Sequence, residues 1–334
     1  MRRIGKSGLS LSRLGLGTMT WGRDTDTHEA ADQCRAYIEA GGNFFDTSPT
    51  YGDGDSERVI GGLIGTLFKR EDVAIATKAG LTFPDGSRMV NNSRQSLIAD
   101  LDKSLSRLET DYVDIWQIHL WDSNTPLEDS LSALDYAYSS GKARYVGLSN
   151  FSGWQSARAI TIQEGNSAKA PIISNQVEYS LLNRSAEDEI LECARETGTA
   201  VLAWAPLGRG VLTGKYRRGI PSDSRGAAPH FVKHVEPYLN EKSARIVEAV
   251  CVASEGIPIN ATSPYLTSPT AVLLDPKKPF FGLSNRISLC ILSIIIIALP
   301  SFKNIQSIIK DIKNCRQHEA LPSFYNRKSI ARWI

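Results

Sequence analysis

Asp46 and Tyr51 are an acid and a phenol set close enough along the chain to share a cavity. Asp46 ends the apolar pair Phe44-Phe45, and Tyr51 follows across Pro49 and beside Gly52. Apolar residues running into an acid read as a strand end, and the proline and glycine mark the loop after it. Alone, each means little, since a strand-end Asp commonly caps a helix and a loop Tyr commonly packs. Lys78 and His119 give them weight, because they end the runs Val73-Ala74-Ile75-Ala76-Thr77-Lys78 and Tyr112 to His119. A phenol is a poor acid near neutrality, with an unperturbed pKa of about 10. A nearby ammonium lowers that value, and Asp46 would keep Lys78 charged and oriented. Tyr51 could then protonate a carbonyl oxygen as negative charge develops on it. His119 could hydrogen-bond the same oxygen. No metal-ligand cluster and no activated Ser or Cys accompanies them, so hydrolysis is poorly supported. Acid-assisted carbonyl reduction needs a hydride donor, which points to a nicotinamide cofactor.

The elements that must position these groups alternate. Apolar runs at Leu14 to Thr18, Asn43 to Asp46, Val73 to Lys78, Tyr112 to His119, Arg144 to Asn150, Pro171 to Gln176 and Ala200 to Trp204 are each strand-like. The first six are followed by helix-like segments at Thr27 to Ala40 (with Thr27 as the cap), Ser56 to Leu67, Ser93 to Leu108, Pro126 to Ser140, Trp154 to Gln163 and Ser185 to Glu196. This pattern, at roughly 30-residue spacing, is that of a parallel sheet with helical crossovers. With a hairpin over residues 1–12 and an eighth strand at Ile294 to Leu299, it predicts an α/β fold, a (β/α)8 TIM barrel forming a single domain over 1–334. An open doubly wound sheet fits less well, because Gly15-x-Gly17 does not extend into G-x-G-x-x-G. In a barrel the strand ends Thr18, Asp46, Lys78, His119, Asn150, Gln176 and Trp204 share the C-terminal mouth, where such folds keep their active sites. Asn150 and Gln176 suit a carboxamide, and Trp204 offers a flat face to a ring.

Composition narrows the class further. The chain has 334 residues, 42% of them hydrophobic, and a formal net charge of +2, so nothing electrostatic argues for nucleic acid. Its five cysteines are scattered without a C-x-x-C pair, which fits reduced thiols in a cytoplasm. The apolar run Ile287 to Leu299 is shorter than the roughly 20 residues of a membrane span, and the N-terminus lacks a signal-like apolar region.

The chain resembles the aldo-keto reductases through Leu14-Gly15-Leu16-Gly17-Thr18, Phe45-Asp46-Thr47-Ser48-x-x-Tyr51-Gly52 and Ala76-Thr77-Lys78. The likeness continues through Asp114 to His119, Val146 to Phe151, Asn175 to Tyr179 and Trp204 to Tyr216. The branch it is most similar to holds bacterial general aldo/keto reductases and potassium channel β subunits. The resemblance implies a tetrad of Asp46, Tyr51, Lys78 and His119, with Tyr51 as proton donor to an aldehyde or ketone. It implies that Ser149, Asn150 and Gln176, on the rim that includes Thr18, hold the nicotinamide, and that Trp204 stacks on it. Leu207, Gly208, Gly210 and Lys215 would follow the pyrophosphate. Arg225 would meet a 2′-phosphate, favouring NADPH over NADH. The partner expected is a small carbonyl substrate, with homo-oligomerisation left open. The alternative is a cofactor-binding regulatory or partner-binding subunit with little turnover.

The pattern departs from the family after Glu255. Prolines at 258, 264, 269, 276 and 279 interrupt the expected helix within a divergent stretch, residues 256–290. Further on, Pro300 falls where a phosphate-binding Arg or Ser is expected, Asn304 stands for Gln as a cofactor-binding residue, and Ile308 stands for Asn.

Overall fold

A computed structural model describes residues 1–165, 169–255 and 270–274. By contacts the described residues divide into two compact units, Met1–Pro206 with Thr270–Leu274, and residues 207–255. The first unit holds seven parallel strands: β1 (Leu14–Gly17), β2 (Phe44–Asp46), β3 (Ala74–Ala79), β4 (Val113–Ile118), β5 (Ala143–Ser149), β6 (Ile172–Glu178) and β7 (Ala200–Trp204). Each pairs in parallel with the next in the chain, so the sheet curls in sequence order. Helices α1 (Thr27–Glu39), α2 (Asp55–Leu63), α3 (Arg94–Arg107), α4 (Leu127–Ser139), α5 (Gly153–Glu164) and α6 (Ile190–Thr197) supply the crossovers.

The helices begin where the sequence offers oxygen acceptors for orphan amides. Ser93 and Ser152 cap α3 and α5, and Ser152 forms a full capping box with Gln155. On α1 the cap falls on Asp26 rather than on Thr27, because the Asp26 carboxylate accepts from the Glu29 amide at 2.8 Å. The segment from Ser185 begins as a 3-10 turn, and α6 starts only at Ile190.

Strand periodicity sorts the side chains into two layers. Phe44, Ala74, Ala76, Ile115, Ile173, Ala200 and Leu202 form one cluster together with Ile4 and Leu11. Those last two residues belong to the N-terminal hairpin, in which Arg2–Arg3 pairs with Ser10–Leu11, so the hairpin packs into the inner layer. On the other face Phe45, Ile75, Trp116, Val146 and Leu148 pack with helix residues such as Leu97, Leu101, Leu131 and Leu134.

A further strand, Thr270–Leu274, lies between β7 and β1 and pairs antiparallel with both. An antiparallel neighbour needs no helical crossover. The eighth strand expected at Ile294 to Leu299 lies outside the described residues, as do Pro300, Asn304 and Ile308.

Candidate active site

Alternation along β2 and β3 places Asp46 in line with Phe44, and Lys78 in line with Ala76 and Ala74. Both polar residues are buried at the top of the inner layer, with Lys78 only 1% exposed. Lysine is rarely buried without a partner, and here its environment is saturated with oxygen. Lys78 Nζ donates to both Asp46 carboxylate oxygens at 2.9 Å, to the Thr47 carbonyl at 2.9 Å and to the Tyr51 hydroxyl at 3.5 Å. The ammonium also lies 5.1 Å from the centre of the Tyr51 ring. Burial pulls the Lys78 pKa down, but Asp46 and then Tyr51 outweigh it, and the value ends above the ordinary one.

Tyr51 is carried on a tight turn. Its amide donates to the Ser48 carbonyl at 3.0 Å, and Gly52, Asp53 and Gly54 follow with left-handed φ values of 57°, 52° and 92°. Glycine takes that conformation without penalty, and Asp is among the residues that tolerate it. Burial pushes the Tyr51 phenol above its usual pKa, more than Lys78 lowers it, and Asp46 adds to the rise. The expected net lowering is therefore corrected. Desolvation of the phenolate is the larger effect, and Tyr51 holds its proton at neutral pH.

His119 follows β4, its amide bonded to the Ala79 carbonyl at 2.9 Å. Its pKa is held well below 6.5 by burial, by Lys78 and by Arg88, so the ring is neutral. The Ser48 hydroxyl sits 3.4 Å from Nδ1. A hydroxyl donating there leaves the other ring nitrogen, Nε2, carrying the proton. Asp46, Tyr51 and Lys78 are thus joined by direct contacts, and His119 lies near enough to feel the Lys78 charge.

The amide side chains expected around a nicotinamide are linked to the same centre. Gln176 Nε2 donates to Asp46 Oδ1 at 2.7 Å, and the Ser149 hydroxyl donates to the Gln176 carbonyl at 3.0 Å. Asn150, at a left-handed φ of 56°, donates to the His119 carbonyl at 3.1 Å and to Ser149 Oγ at 3.0 Å. Its Oδ1 accepts from Trp204 Nε1 at 3.0 Å, which fixes the indole plane. Ser149, Asn150, Gln176 and Trp204 therefore form one preorganised group, and its mix of amide donors and acceptors with a flat ring suits a carboxamide-bearing aromatic. Thr18 is fully buried, and its hydroxyl is engaged by the Asp46 carbonyl at 3.1 Å and Ser56 Oγ at 2.6 Å.

The second unit, taken by itself, carries Leu207, Gly208, Gly210, Lys215 and Arg225. Gly208, Arg209 and Gly210 have consecutive left-handed φ values of 55°, 57° and 91°. A Cβ built at Gly210 would lie 3.3 Å from Lys215 Cε, so the lysine lies across that turn. Burial and the neighbouring charge of Arg225 lower the Lys215 pKa, against Asp223. Two cations near enough to oppose each other's protonation, beside a left-handed turn, fit an anion such as phosphate.

Sequence reasoning missed Ser48, Thr47, Ser56, Glu57 and Arg88. The first two lie in the motif already singled out, between Asp46 and Tyr51. Ser56 and Glu57 looked like an ordinary helix start, and Arg88 a polar loop residue. Among the described residues there is no His/Cys/Asp/Glu group able to hold a metal ion, and no helix long and apolar enough to cross a membrane.

Residues 13–268 match the aldo/keto reductase family. The chain is 37% identical over 221 residues to the uncharacterized oxidoreductase YrpG of Bacillus subtilis, covering 64% of this chain and 68% of that one. It is 37% identical over 230 residues to L-glyceraldehyde 3-phosphate reductase of Escherichia coli K12, covering 67% and 66% of the two chains. It is also 34% identical over 261 residues to a probable voltage-gated potassium channel subunit beta of Oryza sativa subsp. japonica, covering 76% and 78%. The chain belongs to the aldo/keto reductase family.

Proposed function

We propose that the chain is an NADPH-dependent oxidoreductase that reduces an aldehyde or ketone to an alcohol, with Tyr51 as the general acid. The observation that carries this reading is the Tyr51 hydroxyl at 3.5 Å from a buried Lys78 ammonium that Asp46 holds charged. A carbonyl oxygen placed against Tyr51 and His119 would meet two neutral donors aimed at the atom where charge develops. When bound, the nicotinamide supplies a hydride to the carbonyl carbon. The Tyr51 proton goes to the oxygen, giving the alcohol. The phenolate left behind is stabilised by Lys78 until solvent reprotonates it. Ser149, Asn150, Gln176 and Trp204 would hold the nicotinamide, while Lys215 and Arg225 suit phosphate groups and favour NADPH over NADH.

The test is a panel of small aldehydes and ketones assayed with NADPH and with NADH, with Tyr51→Phe as the control. The variant keeps the ring and loses only the donor, so kcat should fall by roughly 10²–10⁴-fold, the usual contribution of a positioned general acid. Turnover that persists in Tyr51→Phe would remove the mechanism. Cofactor binding without turnover would favour the regulatory reading, to which the 34% identity with a channel β subunit gives a foothold.

A further inference from the structure

The distance between Lys78 Nζ and the Tyr51 hydroxyl decides how strongly the ammonium acts on the phenol, yet the two residues sit on different elements. Lys78 lies on β3, whereas Tyr51 lies on the left-handed turn that leads into α2. Something must fix α2 against β3. Glu57, on the first turn of α2, is fully buried and reaches both sides. Its Oε1 accepts from the hydroxyl of Thr77, the residue next to Lys78 on β3, at 2.5 Å. Its Oε2 accepts from Arg107 Nε at 2.7 Å and is ion-paired with Nη2 at 2.6 Å, at the last residue of α3.

Arg107 lies along one face of α2. A Cβ built at Gly54 would fall 2.6 Å from Arg107 Cδ and 2.7 Å from Nε, and one built at Gly61 would fall 2.7 Å from the Arg107 carbonyl oxygen. Gly54, Glu57 and Gly61 are spaced three and four residues apart, the spacing of a single helical stripe. The two glycines let the arginine approach, and the glutamate between them binds it. Gly54 is also the last left-handed residue of the Tyr51 turn, so the arginine presses directly on that turn.

We propose that Glu57 and Arg107 are positioning residues that set the separation of Tyr51 and Lys78, acting through Gly54 on one side and Thr77 on the other. The catalytic consequence rests on the proposed reductase reading; the geometric one does not. Neither side chain touches a reacting atom in this account.

The test is Glu57→Gln in the full chain labelled with 13Cζ-tyrosine, with the Tyr51 resonance assigned by its loss in Tyr51→Phe. The amide keeps the shape of the carboxylate and loses its charge, so the grip on Arg107 weakens. At neutral pH the Tyr51 resonance should move, kcat should fall at least tenfold and KM for the carbonyl should stay within about twofold, the signature of an interaction needed chiefly in the transition state. Thr77→Val, which removes only the hydroxyl on the β3 side, makes the same test if Glu57→Gln does not fold. A Tyr51 resonance that stays in place in either folded variant overturns the inference, whatever happens to kcat. A moved resonance in a protein that reduces no carbonyl supports the inference and removes the reductase reading.

Discussion

Replacing Asp46 by Asn should make the stability of this protein depend on pH in a way set by Lys78. In the native arrangement the ammonium has both carboxylate oxygens at 2.9 Å and is 1% exposed, so the substitution strands a buried cation. Breaking a buried pair from one side costs about 3–5 kcal/mol. The protein can escape that cost only by releasing the proton. Holding a lysine neutral in the folded state at pH 7 costs about 1.36 kcal/mol for each of the roughly 3.4 pH units below its reference value near 10.4, or about 4.6 kcal/mol. At pH 9 the gap is about 1.4 units and the cost about 1.9 kcal/mol. In the variant the folded-state pKa lies below the unfolded one, so the unfolded chain binds more protons and stability rises with pH. Urea unfolding at both values should show Asp46→Asn less stable than the parent at pH 7 by about 3–5 kcal/mol. The deficit should shrink by up to about 2.7 kcal/mol at pH 9. Adding Lys78→Met to the same chain should restore much of the loss at pH 7, because no charge is then left unpaired. A deficit below about 1 kcal/mol that is equal at both pH values would refute the claim that Asp46 is what keeps Lys78 charged.

The remaining expectations concern neighbouring groups. The folded-state pKa of His119 lies below the unfolded value near 6.5, so stability present above that pH is lost as the pH falls below it, at up to about 1.4 kcal/mol per unit. His119→Gln should flatten that slope in urea titrations between pH 7.5 and 5, and an identical slope would mean that the ring charges freely. A Cβ built at Gly147 on β5 would lie 2.5 Å from Ser174 Oγ and 3.1 Å from the Ser174 carbonyl, so Gly147→Ala should cost about 1–3 kcal/mol by overpacking. Thermal unfolding of that variant and of Gly147→Ala with Ser174→Ala would show whether the hydroxyl accounts for part of the cost. Loss of kcat in Tyr51→Phe, and movement of the Tyr51 resonance in Glu57→Gln, complete the set.

The tetrad was legible because three of its members end apolar runs and the fourth sits on the loop after one of them. Period-two alternation then does the rest, since Asp46 must share a face with Phe44, and Lys78 with Ala76. The crossover helices were legible for the same kind of reason, but not all of their ends were: the cap of α1 falls on Asp26, α2 stops at Leu63 rather than Leu67, and α6 starts at Ile190 rather than Ser185. The sign of the Tyr51 shift was not legible. Proximity to a lysine argues for a lowered pKa, but the chain order of residues carries no measure of how completely a phenol is desolvated, and burial is the larger effect.

The sequence by itself determined the order of the seven parallel strands and their helices, and the family, because hydrophobic period and turn chemistry are local properties. Only the tertiary structure decided that Thr270–Leu274 lies antiparallel between β7 and β1, that Gln176 donates to Asp46, and that Glu57 joins α2 to both Thr77 and Arg107. Gln176 and Asp46 are 130 residues apart in the chain. Contacts at such separations depend on how a curled sheet and its packed helices bring distant positions together, and no local pattern records that.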